Sequence, residues 1–272
     1  MINSLQDCTT LNNGIKMPWL GFGVNRIHSG FPMQKAIKNA LEAGYRSFDT
    51  ATLYLNEKSL GDALKNIDIP REELFITSKL WTMSQSYSAT LKAFEKSKKN
   101  LSVDYIDLYL INSPVTKYDE AWRAMVELYH TGQIKAIGVC NFNISHLEHL
   151  QSISEVIPAV NQVEFHPWLT QEKLLEYCQK NEIQMEAWSP LARGEVLKEK
   201  TLLALGKKHK KTSAQIILRW ALQQKVVTIP KSVHKEWIFE NTNIFDFNLS
   251  DEDMLAISSL NINKRWMWSY GM

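Results

Sequence analysis

Eight short apolar runs recur along this chain, and helical-period stretches fill the gaps between them. The runs are WLGFG, RSFDT, LFITSK, IDLYLI, IKAIGVC, AVNQVEF, IQMEAW and VVTIP. Each has the length and character of a buried strand. Between them lie MQKAIKNALEAG (33–44), SATLKAFEKSKKNLS (88–102), DEAWRAMVELYHTG (119–132), TQEKLLEYCQKN (170–181) and TSAQIILRWALQQ (212–224). Strands that alternate with helices imply parallel βαβ units. Gly44 and Gly132 stand where a left-handed cap would end a helix. Ahead of the first run, TTLNNGIKMP (9–18) reads as a hairpin, with Asn13-Gly14 supplying positive φ angles. No linker, low-complexity segment or composition break divides the 272 residues. An α/β chain of this length, 1–272 as one domain, fits a (β/α)8 barrel with an N-terminal β-hairpin better than an open doubly wound sheet.

The barrel gives the polar residues a meaning. Asp49, Lys79, Asn112, Asn141, Gln162, Ser189 and Lys231 all fall at or just past the C-terminal ends of proposed strands. In a barrel these ends form one rim, where active sites sit. Loops are polar in general, which explains any one of these residues but explains the recurrence of acid, amine and amide types poorly.

Asp49, Tyr54 and Lys79 suggest a chemistry. A tyrosine is a poor acid at neutral pH, with a reference pKa of about 10. A nearby ammonium makes its phenolate cheaper and the phenol a better proton donor. A carboxylate keeps that lysine charged and aimed. Together they are the parts needed to protonate a carbonyl oxygen as a hydride arrives at carbon.

Other classes have little support. The net charge of +2 gives no electrostatic case for nucleic acid or a membrane surface. KKHKK (207–211) reads as a solvated helix end. Cys8, Cys140 and Cys178 form no disulfide or zinc pattern. None of the histidines has metal-ligand spacing, and His166 reads as structural. The N-terminal residues show no signal peptide and no apolar run reaches membrane-spanning length, so a reducing cytoplasm is the expected address; a monomer is the expected state.

GYRSFDTATLYLNE, LFITSKLW, DYIDLYLINSP, IKAIGVCNFN, VNQVEFHP, EAWSPLARG and VVTIPKSVHKEWIFENTNIFDFNLS, in this order, resemble the aldo-keto reductase superfamily, in particular its short bacterial diketogluconate and glyoxal reductases. The resemblance runs from about residue 9 to about 260. It implies NADPH, with NADH possible, bound across the barrel rim; no GxGxxG follows the first strand. It further implies Tyr54 as the general acid, Lys79 lowering its pKa and Asp49 pairing with Lys79. Asn141 and Gln162 would hold the nicotinamide carboxamide beside Cys140, and Trp188 would stack on the ring. Ser189 and Leu191 would follow the pyrophosphate, Lys231 and Ser232 the ribose phosphate, and Trp237, Glu240 and Asn241 the adenine side. Asn25, Trp81 and Ser113 would meet the carbonyl substrate.

Four positions depart from the family pattern. Asn112 stands where the family has a histidine that donates to the substrate carbonyl, and Ser113 replaces the usual tryptophan beside it. Cys140 replaces a serine. Trp237 replaces the arginine common in NADPH-preferring members, which removes a charge and a fork of donors. The expected function is NAD(P)H-dependent reduction of small aldehydes or ketones to alcohols. Asn112 supports a rival, a nicotinamide-nucleotide binding protein with weak or lost catalysis. An isomerase or aldolase on another barrel is disfavoured by the IPKS region and the absent phosphate-binding glycine loop. The aromatic tail NKRWMWSYGM (263–272) would either cover the barrel mouth or pack on its side.

Overall fold

The structure is a computed structural model that describes residues 2–65 and 67–265; Trp266, Trp268 and Tyr270 of the aromatic tail lie outside the described residues. An N-terminal hairpin, β1 (Cys8–Thr10) and β2 (Lys16–Pro18), precedes the barrel strands. The chain then runs β3 (Phe22–Gly23), α1 (Phe31–Glu42), β4 (Ser47–Asp49), α2 (Glu57–Lys65), β5 (Phe75–Leu80), α3 (Tyr87–Leu101), β6 (Ile106–Ile111) and α4 (Tyr118–His130). It continues through β7 (Ile134–Cys140), α5 (Ile144–Ile153), β8 (Val160–Glu164), α6 (Glu172–Lys180) and β9 (Gln184–Trp188). Helices α7 (Lys200–His209) and α8 (Ser213–Gln223), strand β10 (Val227–Thr228), α9 (Lys235–Glu240) and α10 (Asp251–Ser258) complete it.

The eight strands β3 to β10 pair in sequence order, all in parallel. A parallel bridge between Leu20 and Thr228 brings the two ends together, with Gly21 N donating to Thr228 O at 3.0 Å and Gly23 N to Pro230 O at 3.1 Å. The result is a closed (β/α)8 barrel. Close approach at the seam depends on glycine, because a Cβ at Gly23 would sit 3.0 Å from Ile229 O.

Strand periodicity sorts the core into two layers. On β6, Leu108 and Leu110 join the inner cluster with Phe75, Ala136 and Val160, while Tyr109 and Ile111 face the helices. The hairpin closes the N-terminal end. Its buried Leu11 and Met17 belong to the inner cluster, and Asn12 and Asn13 donate to Pro158 O and Lys135 O.

Two details differ from expectation. At the hairpin tip only Gly14 takes positive φ (86°), and Asn13 instead accepts from Ile15 N through its side chain. The KKHKK stretch ends α7 as expected, yet it is not simply solvated: Lys208 and His209 bond Asp253 at 2.7 and 2.8 Å, and Lys211 bonds Asp246 at 2.8 Å. Gly44 and Gly132 end α1 and α4 with φ of 98° and 74°. Among the described residues no helix is long and apolar enough to cross a membrane, and no cluster of His, Cys, Asp or Glu has metal-site geometry.

Candidate active site

Asp49 ends β4, and the chain then turns sharply. Thr52–Tyr54 form one 3-10 turn, closed by Leu55 in the left-handed region (φ 54°). Buried Asn56 pins this turn. It accepts from Thr50 Oγ1 at 2.8 Å and donates to Val24 O and Ile27 O at 2.9 and 3.3 Å. Asn56→Ala strands the Ile27 carbonyl and the Thr50 hydroxyl and leaves Val24 O with only its bond from Ile27 N at 3.1 Å, and we expect a loss of about 2–4 kcal/mol in denaturant unfolding. A midpoint equal to wild type would show that Asn56 does not hold the turn.

Lys79, on β5, reaches across to Asp49. Its Nζ lies 2.6 and 2.7 Å from the two carboxylate oxygens, 2.9 Å from Thr50 O and 3.4 Å from the Tyr54 hydroxyl. Lys79 and Asp49 are 1% and 3% exposed. Burial pushes the Lys79 ammonium toward losing its proton, but the Asp49 carboxylate and then Tyr54 outweigh it, and the net pKa is raised. Tyr54 is half-buried, with its hydroxyl at the deep end beside Lys79. Burial pushes the phenol up to about 12, Lys79 pulls it down, and Asp49 adds to the rise. The ammonium lowers the pKa as expected, but desolvation of the phenolate outweighs it. The phenol stays protonated at neutral pH beside a fixed cation.

A second group lies against the first. Cys140, Gln162 and Glu186 stand side by side on β7, β8 and β9. Gln162 Nε2 donates to Asp49 Oδ2 at 2.8 Å and to Glu186 Oε2 at 2.7 Å, and Cys140 Sγ lies 3.8 Å from Gln162 Oε1. Gln162 sits within β8 rather than past its end. Asn141 follows β7 with φ 64°, a left-handed conformation that asparagine tolerates. Its Nδ2 donates to Asn112 O at 3.0 Å and to Cys140 Sγ at 3.2 Å, and its Oδ1 accepts from Trp188 Nε1 at 2.9 Å. The Cys140 thiol is pushed up to about 12 by burial.

Asn112 is half-buried just past β6. Its carbonyl accepts from Ser113 Oγ at 2.7 Å as well as from Asn141. Among the described residues its side-chain amide has no hydrogen-bond partner. Ser113 is buried, Trp81 is 39% exposed after β5, and Asn25 is exposed after β3.

The remaining expected residues follow β9 and β10. Ser189 is left-handed (φ 50°), and Leu191 packs half-buried on the core. Lys231 is exposed and Ser232 buried, its Oγ accepting from His234 N at 3.1 Å. Trp237 is 55% exposed with its ring 4.2 Å from that of His234. Asn241 is buried, whereas the Glu240 carboxylate already accepts from Thr212 Oγ1 at 2.7 Å.

Three residues were not anticipated. Glu186 is one, and a charge inside the apolar run IQMEAW was the signal for it. Arg26 and Arg193 carry no such pattern. Partial desolvation, then the Arg26 charge, lowers the pKa of both Lys231 and Arg193, with Glu164 opposing at Arg193, so Arg26 lies near each of them. A cavity of about 610 Å³ lined by Tyr87, Arg123, Val126, Glu127, His130 and Thr131 lies on the outer helical layer and includes none of these rim residues.

The aldo/keto reductase family model matches residues 20–262. Glyoxal reductase of Bacillus subtilis (strain 168) is 51% identical over 266 residues, covering 97% of this chain and 96% of that protein. Methylglyoxal reductase DkgA of Escherichia coli O157:H7 is 46% identical over 260 residues, covering 94% of each. The crystal structure of a Bombyx mori aldo-keto reductase in complex with NADP superposes with a TM-score of 0.89 at 35% identity, covering 96% of this chain and 94% of that one. With the same barrel, and with relatives matching nearly end to end, this chain belongs to the aldo/keto reductase family.

Proposed function

We propose that this chain, as one barrel domain over 1–272, reduces small aldehydes and ketones, 1,2-dicarbonyls of the glyoxal and methylglyoxal type among them, to alcohols with NADPH. NADH is a weaker candidate, and a cytoplasmic monomer is the form we assign. The observation that carries the proposal is Lys79 Nζ, held by Asp49 at 2.6 Å and 3.4 Å from the Tyr54 hydroxyl at the barrel rim. The relatives' names favour an enzyme over a bare binding protein.

The donor set suits an anionic dinucleotide with an amide-bearing ring. Arg26, Lys231 and Arg193 supply positive charge, Gln162 and Asn141 supply amides, and the half-buried Trp188 supplies a flat face. When bound, the reduced nicotinamide supplies the hydride. Tyr54 gives its proton to the carbonyl oxygen, and Lys79 balances the phenolate it leaves. Asp49 keeps Lys79 charged. The unpartnered amide of Asn112 donates to the same oxygen in place of an imidazole. Ser189, Leu191 and Ser232 line the dinucleotide's path, and Trp237 and Asn241 its adenine end. Glu240 joins them only if it releases Thr212. Asn25, Trp81 and Ser113 border the substrate.

The test is NADPH oxidation at saturating methylglyoxal, with binding followed by tryptophan quenching. A dissociation constant in the micromolar range, roughly −8 kcal/mol, is expected. Neither quenching nor turnover would overturn the proposal. Asn112 is shorter than histidine and cannot relay a proton. Asn112→His should therefore raise kcat/KM by about tenfold, or about 1.4 kcal/mol. A fall instead would mean that the pocket is built around asparagine and Ser113.

A further inference from the structure

We infer that Glu186 is a positioning residue: it sets which end of the Gln162 amide faces the nicotinamide site and, through Cys140 and Asn141, fixes the polarity of the whole carboxamide-binding group. This rests on the NADPH reading above.

An amide side chain has nearly the same shape either way round, but one end carries two donors and the other only accepts. Something must break that tie. Gln162 spends one N–H on Asp49 Oδ2 at 2.8 Å and the other on Glu186 Oε2 at 2.7 Å. Asp49 is already matched by Lys79, which weakens its hold on a third group. Glu186 has no cation bonded to it, and among the described residues Gln162 is its only hydrogen-bond partner. With both N–H groups committed, Gln162 Oε1 must serve as acceptor, and Cys140 Sγ approaches it at 3.8 Å. A thiol that donates to Gln162 is left to accept from Asn141 Nδ2, at 3.2 Å. Asn141 Oδ1 is thereby turned to accept from Trp188 Nε1, at 2.9 Å. One carboxyl thus orders Gln162, Cys140 and Trp188 on three strands and Asn141 just past one of them. Register makes this possible, since Cys140, Gln162 and Glu186 are direct cross-strand neighbours.

Stability does not account for Glu186. It is 1% exposed, and burying a carboxyl with one partner is unfavourable. Burial, then the Asp49 charge, push it up to about 8, with Gln162 and Lys79 opposing. The charged and titratable groups around it are Asp49 on β4, Lys79 on β5 and Cys140 on β7.

The experiment compares NADPH with 2′,5′-ADP, which keeps the adenine and 2′-phosphate but lacks the nicotinamide. Glu186→Leu should weaken NADPH by about tenfold while 2′,5′-ADP stays within about twofold. Glu186→Gln keeps an acceptor oxygen but also carries donors, so it should restore the NADPH affinity only in part. Equal weakening of both ligands would assign Glu186 to the scaffold and overturn the inference, as would an unchanged NADPH affinity. Wild type that binds 2′,5′-ADP but neither NADPH nor NADP⁺ would instead overturn the cofactor reading, and this inference with it.

Discussion

Tyr54→Phe is expected to lower kcat for methylglyoxal reduction by about 10²–10⁴-fold, the range for loss of a positioned general acid. NADPH affinity should stay near wild type, because the phenol acts on the carbonyl and not on the dinucleotide. Stability should change little as well. The only hydrogen-bond partner of the hydroxyl among the described residues is Lys79, at 3.4 Å, and Lys79 keeps its bonds to Asp49 and Thr50. Steady-state kinetics beside fluorescence titration separates the two effects. A phenylalanine variant that turns over at the wild-type rate would remove Tyr54 from the mechanism.

Lys79→Met carries a double cost. Turnover should collapse, since nothing then balances the phenolate. Folding should also suffer by about 3–5 kcal/mol, the usual cost of stripping one partner from a buried ion pair. Asp49 is left 3% exposed with Gln162 as its remaining side-chain donor. Adding Asp49→Asn removes the stranded charge. The double variant should regain much of the lost stability and none of the activity. If chemical denaturation finds the single variant as stable as wild type, the pair does not carry the buried charge as described. If the double variant reduces methylglyoxal, Lys79 has no part in the proton transfer.

Much of the architecture was legible because barrel strands are buried on both faces and so read as unbroken apolar runs. IDLYLI and IKAIGVC match β6 and β7 residue for residue. WLGFG and VVTIP shrank to two paired residues each, because the seam joins them through an isolated bridge and single hydrogen bonds. Helix α2 was not among the helical-period stretches, and Gly61 stands inside it. In the fold it is a contact residue, since a Cβ there would lie 2.6 Å from Asn100 O and Leu101 O. Of the site, Asp49, Lys79, Asn112 and Asn141 could be read because they stand at strand ends. The direction of the Tyr54 shift could not, because it depends on how much water burial removes and not on which residues are nearby. Nor could the second hydrogen bond of Gln162, which depends on the cross-strand register of β8 and β9.

The hairpin that seats Leu11 and Met17 in the barrel floor makes the fold a vessel with one opening. Below the buried acids and the ammonium lies hydrocarbon, which screens charge poorly, and above them lies the rim. Their field is therefore directed upward, toward whatever enters from solvent. A polar residue at Leu11 or Met17 would touch none of the reacting groups. It would let water in beneath them and dim that field from behind, so the floor of the barrel is part of the electrostatics of its mouth.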